Sequence, residues 1–241
     1  MHPERLQAFV LGTRDYGDTD RIVSLFTLEH GRIRSFARGA RKSRKRFGAA
    51  LEAFARIEVQ VRLKEGLCGL TQAEIHSIYP RIRGDLNGIA HALYACELVE
   101  AISPEGHPLP RLYRLLSAYL DRLEATAADT AERRFFEINL LNILGYRPSL
   151  ETCSRCDTPF GGTGALLSEG GELNCRFCAG SGRPVSAATL SLLLSCLATG
   201  TFGSIPFSAE TTAQAGALLD QAIAAQVGRR LKSVDFLQQV S

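Results

Sequence analysis

Apolar positions recur with a period of two over residues 4–76 and with a period near 3.6 through most of the rest. Leu6 to Leu11 reads as one apolar strand. In Asp20 to Thr27, Ile22, Ser24 and Phe26 oppose Val23 and Leu25. Glu29-His30-Gly31 is a turn signal that joins this second strand, as a hairpin, to a third beginning at Arg32. Ile57 to Leu63 alternates strictly, as a half-buried strand does. Lys64-Glu65-Gly66 then turns the chain into a fifth strand, Leu67 to Ile75. Five short strands joined by tight turns suit an OB-type barrel. An SH3-like barrel or a plain meander would give a similar string.

Pro80 marks the change to helical periodicity. Asp85 is the expected N-cap of a helix carrying Leu86, Ile89, Leu93, Cys96 and Val99, which must end by Ser103-Pro104. Leu112 to Leu123 makes a second helix, and a third opens at Thr130 and stops at Gly145. These three are expected to form a compact bundle. Gly, Ser, Thr and Cys dominate residues 149–184. Helical pattern returns in Ser186 to Leu197, Ala209 to Val227 and Leu231 to Val240. The expected organisation is therefore α+β and multidomain. A nucleic-acid-binding barrel spans residues 1–79, and a helical domain spans 80–241 with an insert at 149–184.

Charge sharpens this division. Lys and Arg outnumber Asp and Glu by 14 to 9 over residues 1–80, whereas the remainder carries 14 against 16. The excess concentrates in Arg32 to Arg46, where Arg32, Arg34, Arg38, Arg41, Lys42, Arg44, Lys45 and Arg46 fall within fifteen residues. No acid occurs between Glu29 and Glu52. Arg32, Arg34, Phe36 and Arg38 would share one face of a strand, with Ile33, Ser35 and Ala37 on the other. From Arg41 to Arg46 the cations have no apolar partner, which suggests a loop. A polyanion, most commonly nucleic acid, is the natural partner of such a ribbon. The bland alternative is a solvated loop that only aids solubility. Phe36 either stacks on bases among the arginines or packs in the barrel.

The strongest local motif is Cys153-x-x-Cys156, followed eighteen residues later by Cys175-x-x-Cys178. Each CxxC turn aims two thiolates at one point, and two such turns complete a tetrahedron. The spacing is that of one structural zinc ion. Four thiolates leave no coordination position for water, so the site is not expected to be catalytic. Cys68, Cys96 and Cys196 fall at apolar positions and read as core residues.

No other catalytic pattern appears: no P-loop frame, no GxSxG and no HExxH. Asp15, Asp18 and Asp20 lie in or beside a tight turn, where Asp serves local hydrogen bonding, although a metal-dependent nuclease would use acids of this kind. Arg133-Arg134 and Arg229-Arg230-Leu231-Lys232 are smaller basic clusters; Arg133 or Arg134 could line a dock for an acidic peptide tail. No secretory signal or 18-residue apolar run is visible, which points to a cytoplasmic protein without membrane contact.

A family resemblance rests on specific residues. Val10-Leu11, Tyr16-Gly17-Asp18-Thr19-Asp20-Arg21-Ile22-Val23, Phe26-Thr27-Leu28-Glu29-His30-Gly31 and Ala37-Arg38-Gly39-Ala40-Arg41-Lys42-Ser43 resemble the start of the RecO family of bacterial recombination mediators. Ala73-Glu74, the Cys-bearing insert after Gly145-Tyr146 and the closing Leu231-Lys232-Ser233 extend the likeness over nearly the full length. Asp18 stands where the family more often has Glu. The resemblance implies a non-enzymatic protein of the nucleoid that binds single- and double-stranded DNA and anneals complementary strands. It also implies pairing with RecR, contact with the acidic C-terminal tail of the single-strand-binding protein, and help in loading RecA. A zinc-ribbon RNA-binding or transcription-associated factor is the alternative from the residues alone.

Overall fold

The computed structural model describes residues 2–43 and 46–240. Arg44 and Lys45 lie outside the described residues. The chain divides into two compact units, residues 1–128 with 231–241, and residues 129–230.

The first unit begins with β1 (Glu4–Tyr16), β2 (Asp20–Thr27), β3 (Gly31–Ala37), β4 (Arg56–Arg62) and β5 (Leu67–Ser77). They close into a barrel in the order β1-β2-β3-β5-β4. β3 and β5 pair in parallel, from Arg34 opposite Leu67 to Ala37 opposite Leu70, while the other pairs are antiparallel. The parallel pair excludes a plain meander and gives the five-stranded OB arrangement. Inward positions such as Leu6, Val10, Leu25, Ile33, Val59 and Val61 form the core, and Phe47, Ala50 and Leu51 from the β3–β4 connection join them.

β1 is longer than its apolar run predicts because Arg14 and Tyr16 still pair with Ile22 and Asp20 beyond a register shift between Val10 and Gly12. Its unbroken apolar stretch has a second cause: Phe9 and Phe26 point outward yet are fully buried. Tyr113 covers both, with ring centroids 5.0 and 6.2 Å away.

Tyr113 belongs to α3 (Pro110–Ala125), which packs with α1 (Pro80–Arg83) and α2 (Leu86–Ile102). Asp85 caps α2 as its position predicts, accepting from the Gly88 N–H at 2.8 Å. Glu124 accepts from the Arg81 and Ile82 N–H groups at the start of α1, a turn too short to show periodicity. α7 (Lys232–Val240) packs on α2. The Glu97 carboxylate receives the N–H groups of Lys232 and Ser233 and the Ser233 hydroxyl. A carboxylate at a helix N-terminus satisfies donors that have no partner within the helix.

The second unit contains α4 (Thr130–Leu144), β6 (Ala165–Leu167), β7 (Leu173–Asn174), β8 (Arg183–Val185), α5 (Ala187–Thr199) and α6 (Ala209–Val227). The expected three-helix bundle is corrected here: α4 belongs with α5 and α6 in this unit. Its apolar residues occupy several faces, so their spacing does not reveal the packing partner. The three short strands form a sheet in the order β7-β6-β8 within the insert. The insert buries Leu150, Phe160, Leu167 and Leu173, and Val185 just after it is buried too, so it has a small apolar core in addition to its cysteines.

Candidate nucleic-acid interface and metal centre

The outer face of the barrel differs along its length. Phe9 and Phe26 lie opposite each other in one row, with Arg32 next across β3, and that row is covered. Two rows along, Arg14, Ile22, Phe36 and Gly69 face one another across four strands. This end is open. Arg14 and Arg34 are exposed, and Phe36 is half-buried with Tyr16 edge-on at 5.8 Å between ring centroids. Tyr16 itself is 57 % exposed. Phe36 is thus outside the barrel core, while Ile33, Ser35 and Ala37 face inward as the alternation predicts.

The basic stretch contains cations in different situations. Arg32 has only 19 % of its side chain exposed; its Nε donates to the Ser103 carbonyl at 3.0 Å and Nη1 lies 3.6 Å from Glu105. The Gly106 N–H donates to the Arg32 carbonyl, so the loop after α2 fills the edge of β3 that β5 does not reach. Close approach also explains Gly31: at φ +65°, a Cβ there would overlap the His107 carbonyl. Arg34 pairs with Glu105 at 3.4 Å but keeps more than half its side chain exposed. Arg38, Arg41 and Lys42 are exposed. Arg46 folds back, donating to the Arg38 carbonyl at 2.8 Å and lying over the Phe47 ring. Predicted residues Arg44 and Lys45 lie outside the described residues.

The three aspartates hold this stretch. Asp20 accepts the Gly39 N–H at 2.7 Å and the Thr19 hydroxyl at 2.9 Å. The Gly39 amide, with the Thr19 hydroxyl, keeps the Asp20 carboxyl below its ordinary value. Asp15 pairs with Arg21 at 3.1 Å and Arg41 at 3.6 Å. The Asp18 carbonyl accepts from the Arg41 guanidinium, and the Thr19 carbonyl from its N–H. The β1–β2 turn is therefore strapped to the beginning of the basic loop.

Tyr16 and Arg14 are not among the residues predicted from the sequence. The apolar run ends at Leu11, and the predicted strand stops with it. Continuing its alternation to the Gly17-Asp18 turn would have placed both residues on the outer face.

In the insert, the four Sγ atoms of Cys153, Cys156, Cys175 and Cys178 all lie within 4.8 Å of one another. Cys156 and Cys175 are 3.8 Å apart. Four sulfurs around zinc at about 2.3 Å would be separated by about 3.8 Å, so the donors and their spacing fit. Burial pushes the Cys153 thiol up, but the N–H groups of Cys175, Arg155 and Cys156 bring it down to about 6. The neighbouring Cys156 and Cys175 thiols push Cys178 up to about 12. Thiols packed this closely favour a cation that replaces their protons. The four cysteines could hold a metal ion, and among the described residues they are the one cluster of potential ligands found.

The candidate tail dock changes character in the structure. Arg134 has 8 % of its side chain exposed, and Nη1 lies 2.7 Å from Glu137 and 2.6 Å from Asp220 of α6. Burial opposes its charge, but Glu137 and Asp220 outweigh that effect and raise its pKa above the ordinary arginine value. Gly216 leaves room for the guanidinium, which a Cβ would meet. Arg133 is also largely covered and lies 3.8 Å from Glu137. This cluster joins α4 to α6 inside the unit; it does not present a free basic rim.

Comparisons with known proteins agree across the whole chain. The family model described as recombination protein O N terminal matches residues 1–79, and that described as recombination protein O C terminal matches residues 83–235. A protein of Pelobacter propionicus named DNA repair protein RecO is 68 % identical over 242 residues, covering 100 % of this chain and 98 % of its own. Its namesake in Geobacter sulfurreducens is 50 % identical, with both chains covered completely. The Myxococcus xanthus protein of that name is 38 % identical over 97 % of this chain and 96 % of its own. Together with the barrel, the helical region and the cysteine cluster, these matches establish that the chain belongs to the RecO family of DNA repair proteins.

Proposed function

We propose that this chain is a non-enzymatic recombination mediator that binds single- and double-stranded DNA, anneals complementary strands and helps load RecA onto DNA coated by the single-strand-binding protein. The observation that carries the DNA-binding reading is the open end of the barrel, where Tyr16 and Phe36 form an aromatic pair beside Arg14 and Arg34. Bases stack on exposed rings regardless of sequence, and arginines neutralise phosphates. Arg38, Arg41 and Lys42 extend the attraction from the barrel edge, with Arg44 and Lys45 completing the run. Arg32 and Arg46 mainly hold the local structure through the carbonyls of Ser103 and Arg38.

Annealing follows from charge: a cationic face that receives two strands reduces their mutual phosphate repulsion. RecR and the acidic tail of the single-strand-binding protein are the protein partners in this reading. The site of action is the cytoplasm, at the nucleoid. No helix among the described residues is long and apolar enough to cross a membrane. The metal is one zinc ion, held by Cys153, Cys156, Cys175 and Cys178 in a closed shell that serves structure.

A variant with Arg34, Arg38, Arg41 and Lys42 changed to Ala tests the barrel assignment. It is expected to bind a single strand more weakly, with its log–log salt slope flattened by roughly 0.7 for each phosphate no longer neutralised. Unchanged affinity and slope would reject the assignment. Annealing of complementary oligonucleotides, with and without single-strand-binding protein, tests the mediator reading; a strong preference for structured RNA would favour an RNA-binding factor.

A further inference from the structure

We propose that the second cysteine knuckle is a contact for single-stranded nucleic acid, separate from the barrel face. Phe177 is its base platform, and Arg155 and Arg176 are its phosphate contacts. Phe177 is 100 % exposed, although it lies between two members of the cysteine cluster in Cys175-Arg176-Phe177-Cys178. Its backbone is held on both sides: the N–H groups of Cys178 and Ala179 donate to the Cys175 carbonyl at 3.1 and 2.9 Å. An aromatic ring presented from so short a closed turn loses little backbone freedom on binding.

Two cations flank it. Arg176 is adjacent in the chain and exposed. Arg155 reaches across from the first knuckle, donating from Nη1 to the Cys178 carbonyl at 3.1 Å while remaining exposed. Each knuckle therefore contributes one arginine to the neighbourhood of the ring. Asp157, just after the first knuckle, is exposed, and Glu169 and Glu172 share a cleft with Arg155, so the positive charge is local and modest.

The size of the feature selects its partner. A stable protein interface buries about 800 Å² on each side around an apolar centre. One protruding ring between arginines is much smaller than that, but it matches a single base and its adjoining phosphates. A duplex keeps its bases stacked on one another, so the partner is a single strand.

The chain contains no tryptophan, which permits a direct test. Phe177→Trp provides a sole indole at the knuckle, and oligothymidylate supplies unstacked bases. Its emission is expected to fall as the oligonucleotide saturates the full-length protein, but not with a duplex of equal length. The quench should persist when Arg34, Arg38 and Arg41 are changed to Ala, which separates this proposal from the barrel assignment. Phe177→Ala should weaken single-strand binding roughly tenfold at unchanged metal content, within the range measured for loss of one stacked base. Unaltered emission at saturation, equal quenching by duplex, or a blue shift produced by raising the protein concentration alone would overturn the proposal. The last result would mean that a second copy covers the ring.

Discussion

In the barrel, Leu6, Val10, Leu25, Val59 and Val61 come from three neighbouring strands of a closed sheet and fill its centre. In the insert, the strands are two or three residues long and the buried apolar residues are few. Hydrogen-bonded turns instead bring four thiols together. The barrel can be stabilised mainly by removing apolar area from water, an effect spread over many residues. With a metal ion on its four cysteines, the insert would depend far more on one focal point. This difference accounts for their sequence signatures: the barrel appears as a diffuse alternation, and the insert as four cysteines among glycines.

The largest test of the contrast is metal removal. Chelation, or Cys175→Ser, should abolish hydrogen-exchange protection over 149–184 while leaving the amides of β1–β5 protected. Loosening of both regions together would break the distinction. Next in size is a cavity in the barrel: Leu25→Ala should cost about 2–5 kcal/mol, read by denaturant unfolding, without altering metal content. A much smaller loss would mean that the barrel tolerates a gap better than a closed sheet should.

The smallest effect concerns acid. Asp20 has its carboxyl held below the ordinary value of 3.8, chiefly by the Gly39 N–H. Its stabilising contribution is therefore present above that value and is lost as pH falls through the lower folded value. Exchange at the Gly39 amide, corrected for its intrinsic pH dependence, should stay constant from about pH 5 to 8 and rise only in stronger acid, given the usual aspartate range. A rise beginning near neutrality would show that the carboxylate is not the principal tie.

The parts most legible in the sequence are those set by neighbouring residues. Asp85 marks the start of α2, and Gly145, at φ +80°, marks the end of α4. Ile33, Ser35 and Ala37 alternate inward because a strand has no other periodicity available. CxxC spacing likewise exposes the four cysteines that could hold a metal ion. Harder to see are interactions fixed by distant segments. Arg32 resembles its neighbours in the string, yet Ser103 and Glu105 engage it from over seventy residues away. Arg134 reads as the lining of a dock for an acidic tail until Asp220 and Gly216 are placed beside it. Tyr16 becomes informative only when β1 is continued past its apolar run to bring the ring against Phe36.

The Glu97 clamp has a consequence for the order in which the molecule is made. The barrel strands and α2 leave the ribosome early, but the N–H groups that Glu97 receives belong to Lys232 and Ser233. All of residues 129–230 are synthesised between them. During translation the second unit is therefore synthesised in full while α2 still lacks α7. The first unit to begin is the last to be completed, so a ribosome stalled before α7 would carry a closed barrel with one face of α2 still bare.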